Sequence, residues 1–448
     1  MMNMKKYPKY KPSGVEWMGD VPEHWEVKKL KYVSETIQTG KTPPSNEEKY
    51  FQDGTVNWFN PSDFSGDIQL KNSHRKISSL AIEENMVKLY KPKTILVVGI
   101  GATLGKVGII DEAGSSNQQI NAITVDERMN PLFCAFYLES FSRIIVSLSN
   151  ASTLAIFNQT QTKNFEIIAP PKSEQNAIIS YLDRKTAQIA RAIAEKEQLI
   201  ALYREERQAI INEAVTKGIR PGVKMKPSGV EWIGDVPEGW EAKKLKYFAE
   251  IKLGKMLTPD DKGGFFLKPY LRAQNLQWFK PDLNEVKEMW FSDKELENYR
   301  VLKDDLLVSE GGEVGRTCIW DNEIKEIYIQ NSVNKVAIKE SGSPKFFLYC
   351  FSSCASKGYF EAMVNRVSIA HLTKEKLKEV EFPFPEPSEQ TTIVAYLDQK
   401  TTEIAQAISG IEKEIALLQE YRQALIFEAV TGKIDVREAA PGHVYEPL

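Results

Sequence analysis

The sequence predicts an α+β protein: two mixed α/β modules separated by two long helices that pair as an antiparallel coiled coil, the whole forming an internal repeat about a pseudo-twofold axis. Three observations predict it. The block KPSGVEWMGDVPEHWEVKKLKY at Lys11 returns as KPSGVEWIGDVPEGWEAKKLKY at Lys226, an offset of 215 residues. The same offset carries Ser173-Glu174-Gln175 onto Ser388-Glu389-Gln390, Tyr181-Leu182-Asp183 onto Tyr396-Leu397-Asp398, and Glu213-Ala214-Val215-Thr216 onto Glu428-Ala429-Val430-Thr431. Between these blocks, residues 33–170 and 248–385 match in length but share little identity, so a constant frame holds two variable modules. The boundaries follow: a first module at 1–172, a helical spacer at 173–218, a second module at 219–387, a second spacer at 388–432 and a tail at 433–448.

Each module opens on two tryptophans, Trp17 and Trp25 or Trp232 and Trp240, around a Gly-Asp-Val-Pro turn. Because both copies keep them, they read as framework packing rather than as base-stacking residues. In the first module, short β-type runs at 56–59, 94–98, 106–110, 120–125 and 165–168 accompany a helical stretch at 131–148. The second keeps that order, with runs at 270–273, 306–309, 316–320, 333–338 and 379–382 and a helix at 344–364. The order of elements is repeated although the residues are not.

Residues 174–217 contain no proline or glycine, and their apolar positions advance by alternating steps of three and four, which predicts one long helix. Its seam is Leu182, Thr186, Ile189, Ile193, Lys196, Ile200, Tyr203, Arg207, Ile210 and Ala214. The second copy is cleaner: Leu397, Thr401, Ile404, Ile408, Ile411, Ile415, Leu418, Arg422, Leu425 and Ala429. Ser173 and Ser388 are read as N-caps, and Gly218 and Gly432 as the stops. A helix of about 44 residues is about 65 Å long, more than a domain core can cover. Two matching heptad seams with a polar register at Arg207 and Arg422 predict that the helices pack on each other; the other reading packs each helix only on its own module.

Composition is that of an ordinary soluble chain of 448 residues, 42% hydrophobic and 27% charged, with no apolar run long enough for a membrane span and no secretory pattern after MMNMKKYPKYKPSG. The expected location is cytoplasmic. Cys134, Cys318, Cys350 and Cys354 form no metal-binding spacing, and the four histidines are scattered, so buried free thiols and no metal are expected. A net charge of −3 argues against binding nucleic acid through charge alone, although the first module is near neutral with local basic spots.

Several motifs invite a catalytic reading and fail. Gly101 to Val107 is one residue short of a phosphate-binding loop and lacks the hydroxyl that would hold Mg²⁺; with Gly311 to Arg316 it reads as a repeated glycine turn. Asn60-Pro61-Ser62-Asp63 lacks the second proline and the aromatic residue of an amino-methyltransferase signature. Pro281-Asp282, Glu285 and Lys287 compress a nuclease-like triad into one loop, where its carboxylates cannot come from separate strands.

What recurs is a set of polar and aromatic loop residues. The first module offers Asn57, Trp58 and Asn60; His74, Arg75 and Lys76; Thr103 and Lys106; Asn117, Gln118 and Gln119; and Asn158 and Gln159. The second offers Arg272, Gln274, Asn275 and Gln277; Glu313 and Arg316; Gln330 and Asn331; and Asn365, Arg366 and His371. Arginine pairs with guanine and Asn or Gln with adenine through two hydrogen bonds in the major groove, while Lys and Thr hold phosphates. Each residue taken singly reads first as a solvated loop residue; their recurrence at corresponding places, with different identities, points to DNA reading.

The paired openers, the SEQNAIISYLD and SEQTTIVAYLD helix starts, and the RQAIINEAVTKG and RQALIFEAVTGK helix ends together resemble the specificity subunits of type I restriction-modification systems, over essentially the whole chain. The resemblance implies a non-catalytic host-defence subunit with two target recognition domains, each reading one half of a bipartite DNA target, with helices that set the spacer and dock two modification (methyltransferase) subunits. It implies that S-adenosylmethionine, ATP and Mg²⁺ belong to partner modification and restriction subunits, and that this chain binds no cofactor of its own. Two other readings stand beside it. A self-contained modification enzyme would need methyl-donor and catalytic motifs that the sequence lacks, and a coiled-coil scaffold for proteins alone would show no sequence-selective DNA binding.

Overall fold

The computed structural model describes residues 5–64, 66, 68–149, 155–339, 342–364 and 371–437. The chain divides into two compact units, one formed by Met1–Glu195 with Lys413–Leu448 and the other by Lys196–Glu412. The divisions fall inside the two long helices, so each unit owns the first half of one helix and the second half of the other.

In the first unit, strand β1 (Glu26–Lys29) precedes β2 (Ser34–Thr39), β3 (Val56–Phe59), β4 (Lys76–Ile77), β5 (Ile95–Val98), β6 (Val107–Ile110), β7 (Gly114–Ser116) and β8 (Ile120–Val125). Helices α1 (Pro131–Ser140), α2 (Ser142–Ser147) and α3 (Gln159–Asn164), strand β9 (Glu166–Ala169) and helix α4 (Lys172–Lys217) follow. Strands β2, β8, β5 and β6 lie in that order, all antiparallel, with the short strand Gln69–Leu70 parallel to β6 at the edge. A second sheet sets β3 between antiparallel β4 and parallel β7. The apolar run of β5 is buried on both faces because its alternate residues enter different cores: Ile95 and Val97 pack beneath α1, while Leu96 and Val98 pack with Phe59, Phe64 and Tyr90.

The second unit repeats this order as β10 (Glu241–Lys244), β11 (Ala249–Leu253), β12 (Phe266–Leu271), β13 (Lys287–Phe291), β14 (Leu306–Ser309), β15 (Thr317–Ile319), β16 (Tyr328–Ile329) and β17 (Val333–Ile338). Helices α5 (Pro344–Ser356), α6 (Tyr359–Met363) and α7 (Lys374–Glu379), strand β18 (Glu381–Phe384) and helix α8 (Pro387–Val430) complete it. Its main sheet is ordered β11, β17, β14, β15, and its smaller sheet holds β12 between antiparallel β13 and parallel β16. Leu306 and Val308 face one core and Leu307 the other, as in β5.

The helical stretches predicted at 131–148 and 344–364 are each broken. The first bends at Phe141. The second breaks at Gly358, whose φ of 70° is a left-handed conformation that glycine adopts without a Cβ clash. The long helices start earlier than expected, so Ser173 and Ser388 lie within the first turn rather than at the cap; Pro387 fits there because a first-turn N–H has no helical acceptor. Gly218 and Gly432, with φ of 74° and 70°, stop them as expected.

Within the first unit, Ile178, Leu182 and Ile189 of α4 share a core with Leu425, Ala429 and Val430 of α8. Within the second, Ile211, Ala214 and Val215 of α4 share one with Ile393 and Leu397 of α8. The start of each helix thus lies beside the end of the other, which is antiparallel pairing. Of the seam residues, Leu182, Ile189, Ile200, Leu397, Ile404 and Leu425 are buried, and Ile193, Ile210, Ile408, Ile411, Ile415 and Leu418 are half-buried, as a two-stranded coil leaves them.

The repeated Ser-Glu-Gln motif ties each helix to its module. Trp25 and Trp240 donate their indole N–H groups to Glu174 and Glu389, each at 3.0 Å. The fully buried Gln175 donates to the carbonyls of Arg128 and Pro170 and accepts the Asn130 N–H; Gln390 donates to Pro385 and accepts the Ser343 N–H. A buried amide satisfied on both sides fixes the angle at which chain enters helix. Trp17 stacks on Phe165 with ring centroids 5.1 Å apart, and Trp232 donates to the Glu381 carbonyl, so all four tryptophans serve the framework.

Candidate nucleic-acid interface

At one edge of each module, three loops are brought together by the same backbone device. In the first, β3 runs into Asn60, whose N–H donates to Asp63 Oδ2 at 2.7 Å and closes a tight turn. Its parallel neighbour β7 runs into Asn117, whose N–H reaches the Phe59 carbonyl at 3.0 Å. In the second module Arg272 N–H donates to Asn275 Oδ1 at 3.1 Å, and Gln330 N–H reaches the Leu271 carbonyl at 3.0 Å.

A glycine completes the device from the side. After β2, Lys41 N–H bonds to the Ser116 carbonyl, and after β11, Lys255 N–H bonds to that of Ile329. The preceding residues, Gly40 and Gly254, pass so close that a Cβ would lie 2.2 Å from the Asn117 carbonyl oxygen and 2.3 Å from that of Gln330. The third loop is the glycine turn: Gly105 N–H bonds to Val98 and Gly315 N–H to Ser309, leaving Thr103 and Lys106, or Glu313 and Arg316, on the turn.

The sequence-derived residues divide by placement. In the first module Asn57 is buried and holds the 71–73 loop, donating to the Lys71 carbonyl and accepting from Ser73. Trp58 is buried and donates to the Lys41 carbonyl; Arg75 lies over the rings of Phe51 and Trp58, 4.7 and 5.5 Å from their centroids. Asn60 accepts from the buried Asn117 amide, which also donates to Gln119. His74 is exposed and its Nδ1 contacts Asp63. Lys76, Lys106 and Gln118 are exposed, with Gln118 contacting Thr42, while Thr103 and Gln119 are half-buried. Asn158 caps α3, and Gln159 donates to the Ile37 carbonyl.

In the second module Gln274 and Gln277 are exposed, and the buried Asn275 amide donates to the carbonyls of Asp282 and Glu285. Arg272 pairs with Glu285 at 3.1 Å. Arg316 pairs with Glu313 at 3.0 Å and donates to the Ala273 carbonyl. Both are largely covered, and the Nε of each is buried without a hydrogen-bond acceptor among the described residues. Glu313 also accepts the Trp278 indole N–H at 2.6 Å. Gln330 bridges Asn331 and Ser332. His371 is exposed; its charge opposes the upward push that burial gives the Glu310 carboxyl. Asn365 and Arg366 lie outside the described residues.

Among the described residues, no group of three or more His, Cys, Asp or Glu side chains is placed to hold a metal ion, and no helix is long and apolar enough to cross a membrane. The four cysteines are buried, and desolvation raises every thiol above its ordinary range. The sequence reading missed Gly40 and Gly254, although a repeated Gly-Lys pair at that place in both copies was visible.

Comparison with known proteins gives one consistent result. Residues 22–200 and 237–416 both match the family described as the type I restriction modification DNA specificity domain. The chain is 22% identical to the MjaIX specificity subunit of Methanocaldococcus jannaschii, over 94% of this chain and 96% of that one. It is 23% identical to the EcoBI specificity subunit of Escherichia coli over 76% of this chain and 73% of that one. In fold it is similar to a chain from a structure of complex assembly and conformational transition of the type I R-M system, with a TM-score of 0.68, 16% identity and coverage of 92% and 98%. It is also similar to the HsdS subunit from Thermoanaerobacter tengcongensis, with a TM-score of 0.52, 17% identity and the same coverage.

Proposed function

The chain belongs to the type I restriction-modification DNA specificity family, and we propose on that basis that it is the non-catalytic DNA-reading subunit of a type I restriction-modification complex, each module reading one half of a bipartite, asymmetric target. The observation that carries this reading is the repeated edge: one backbone device, built twice, displays different side chains at the same three loops. A frame that holds its geometry while changing its hydrogen-bonding groups is what a reader of two different base sequences requires.

Placement suggests a division of labour. Asn57, Trp58, Asn117 and Asn275 spend their polar groups on the protein and position the loops. Gln119 likewise accepts from Asn117 and donates to the Ile100 carbonyl. In the first module Lys76, Gln118 and Thr103 remain to meet DNA, with the Gln118 amide suited to an adenine edge. In the second, Gln274 and Gln277 are joined by Arg272 and Arg316, whose guanidiniums suit guanine once released from Glu285 and Glu313. The helices set the distance between half-sites and dock two modification subunits, which supply S-adenosylmethionine chemistry; restriction subunits supply ATP- and Mg²⁺-dependent cleavage, and the complex works in the cytoplasm. This chain's own residues bind, orient and select.

Exchanging residues 33–170 for the corresponding segment of another family member tests the reading. The mapped target should change in one half-site only. A change in both half-sites, with the complex assembled, overturns the modular assignment.

A further inference from the structure

Resting on the DNA-reading function proposed above, we infer that the first module carries a phosphate clamp on the far side of its third recognition loop, in the cleft where that glycine turn and α2 meet the last turns of α8. The cleft has a volume of about 560 Å³; Lys106, Arg143 and Arg422 line it together with one carboxylate, Glu139, over an apolar floor that includes Phe64 and Phe427, so its cations outnumber its anions by three to one. Lys106 Nζ is held at the mouth by the Phe64 carbonyl at 2.8 Å. Arg143 is exposed and Arg422 half-buried, and neither guanidinium has a hydrogen bond or ion pair among the described residues. A half-buried guanidinium sheds water without gaining an acceptor, and an anion with two free oxygens supplies the acceptor geometry that a fork of N–H donors fits.

Several further features narrow the ligand to a sugar-phosphate. Packing makes the site rigid: a Cβ on Gly105 would lie 2.8 Å from Ser142 Oγ, so the glycine turn sits directly on the start of α2, and Phe427 packs edge-on against Phe141 at 5.6 Å. The lining combines three cations and the single Glu139 carboxylate with apolar surface, which suits a singly charged phosphodiester with its sugar better than a bare, multiply charged inorganic ion. The same short turn carries Thr103 on the recognition edge and Lys106 in the cleft, so one strand can touch both. In the second module the corresponding turn is built differently. The Phe360 ring lies 2.2 Å from where a Gly315 Cβ would be, and Arg316, the counterpart of Lys106, is turned to Glu313 and the Ala273 carbonyl. The clamp is therefore assigned to the first module, where the cation on the turn faces the cleft rather than a carboxylate. Arg422, which the heptad pattern marks only as a polar break in the seam, has a use there.

The test uses the full chain, titrated at several salt concentrations with a target duplex, with a duplex of random sequence and with free deoxyadenosine monophosphate. The double substitution Arg143→Gln/Arg422→Gln should weaken both duplexes equally and several-fold, and flatten the slope of log K against log salt by about 0.9 for each phosphate no longer neutralised. Arg143→Lys/Arg422→Lys, which keeps both charges, should restore the slope, so a loss of folding cannot imitate the result. If the unsubstituted chain binds both duplexes and the glutamine variant does so with unchanged affinity and slope, the clamp is overturned while DNA reading stands. Weakening confined to the target duplex would make these arginines base readers and also overturn it. Should the free nucleotide bind, and that binding vanish in the glutamine variant with duplex affinity intact, the phosphate site is upheld but its assignment to the DNA backbone is overturned.

Discussion

Replacing Gly254 with valine should cost about 3 kcal/mol of stability and silence one half of the target. A Cβ at this position would lie 2.3 Å from the Gln330 carbonyl oxygen and 2.7 Å from that of Ile329, so the obstacle is backbone on a neighbouring strand rather than the mobile end of a side chain. Relief requires β11 and β16 to separate, which breaks the Lys255-to-Ile329 and Asn331-to-Lys255 hydrogen bonds that hold the Gln330–Ser332 loop. Gly40→Val should do the same to the first module through the carbonyls of Ser116 and Asn117. The control is Gly239→His: nothing lies within 4 Å of its Cβ position, and the first copy already carries His24 there. Hydrogen exchange at β12 and β16 reads the local loosening. Native protection in Gly254→Val would show that the close approach is not what builds the recognition edge.

Adding one heptad to each long helix, after Glu195 in α4 and after Glu412 in α8, should lengthen the unread spacer of the target by about 3 base pairs while leaving both half-sites unchanged. Seven residues add about 10.5 Å of helix, and base pairs rise by about 3.4 Å. A whole heptad keeps the apolar seam in register, so Ile189 and Ile200 on α4, and Ile404 and Ile415 on α8, still face the partner helix. Insertion of three residues in each helix should instead turn the following seam by about 300° and expose it, so that the protein no longer assembles. An unchanged spacer after the heptad insertion, with the coil intact, would contradict the role given to helix length.

Periodicity and duplication made the frame legible. The seam positions were readable because a 44- or 46-residue helix has no way to bury its apolar residues except on one stripe. Strands such as β5 and β14 were readable because a short run of Ile, Leu and Val has few alternatives. The breaks at Phe141 and Gly358 were not, since each interrupts an apolar pattern that continues on the far side. β7, with the sequence Gly-Ser-Ser, has no strand-forming residues and exists because β3 offers it parallel backbone partners. β13 was missed because Lys-Glu-Met-Trp-Phe mixes charge into a strand that is only partly covered.

At the candidate interface the sequence named the loops but not their roles. Asn57 and Asn117 look like solvated amides when read along the chain, and they are buried because loops distant in sequence fold against one another. The choice between holding a loop and facing outward is made by tertiary packing, which composition and spacing do not encode. Glu174, Gln175, Glu389 and Gln390 show the reverse case. Their repetition was plain, but the reason for it, a shared bond to tryptophan and a buried amide plug, emerged only when the helix start met the module.

The most direct test of the central claim is genome-wide mapping of adenine methylation in cells carrying the chain with its modification subunit, compared with cells lacking only this chain. The expected result is one split, asymmetric motif that disappears when the chain is removed. Methylation that is unchanged without the chain, in cells where the complex is verified as assembled, would contradict a DNA-reading role and favour a scaffold that binds only protein.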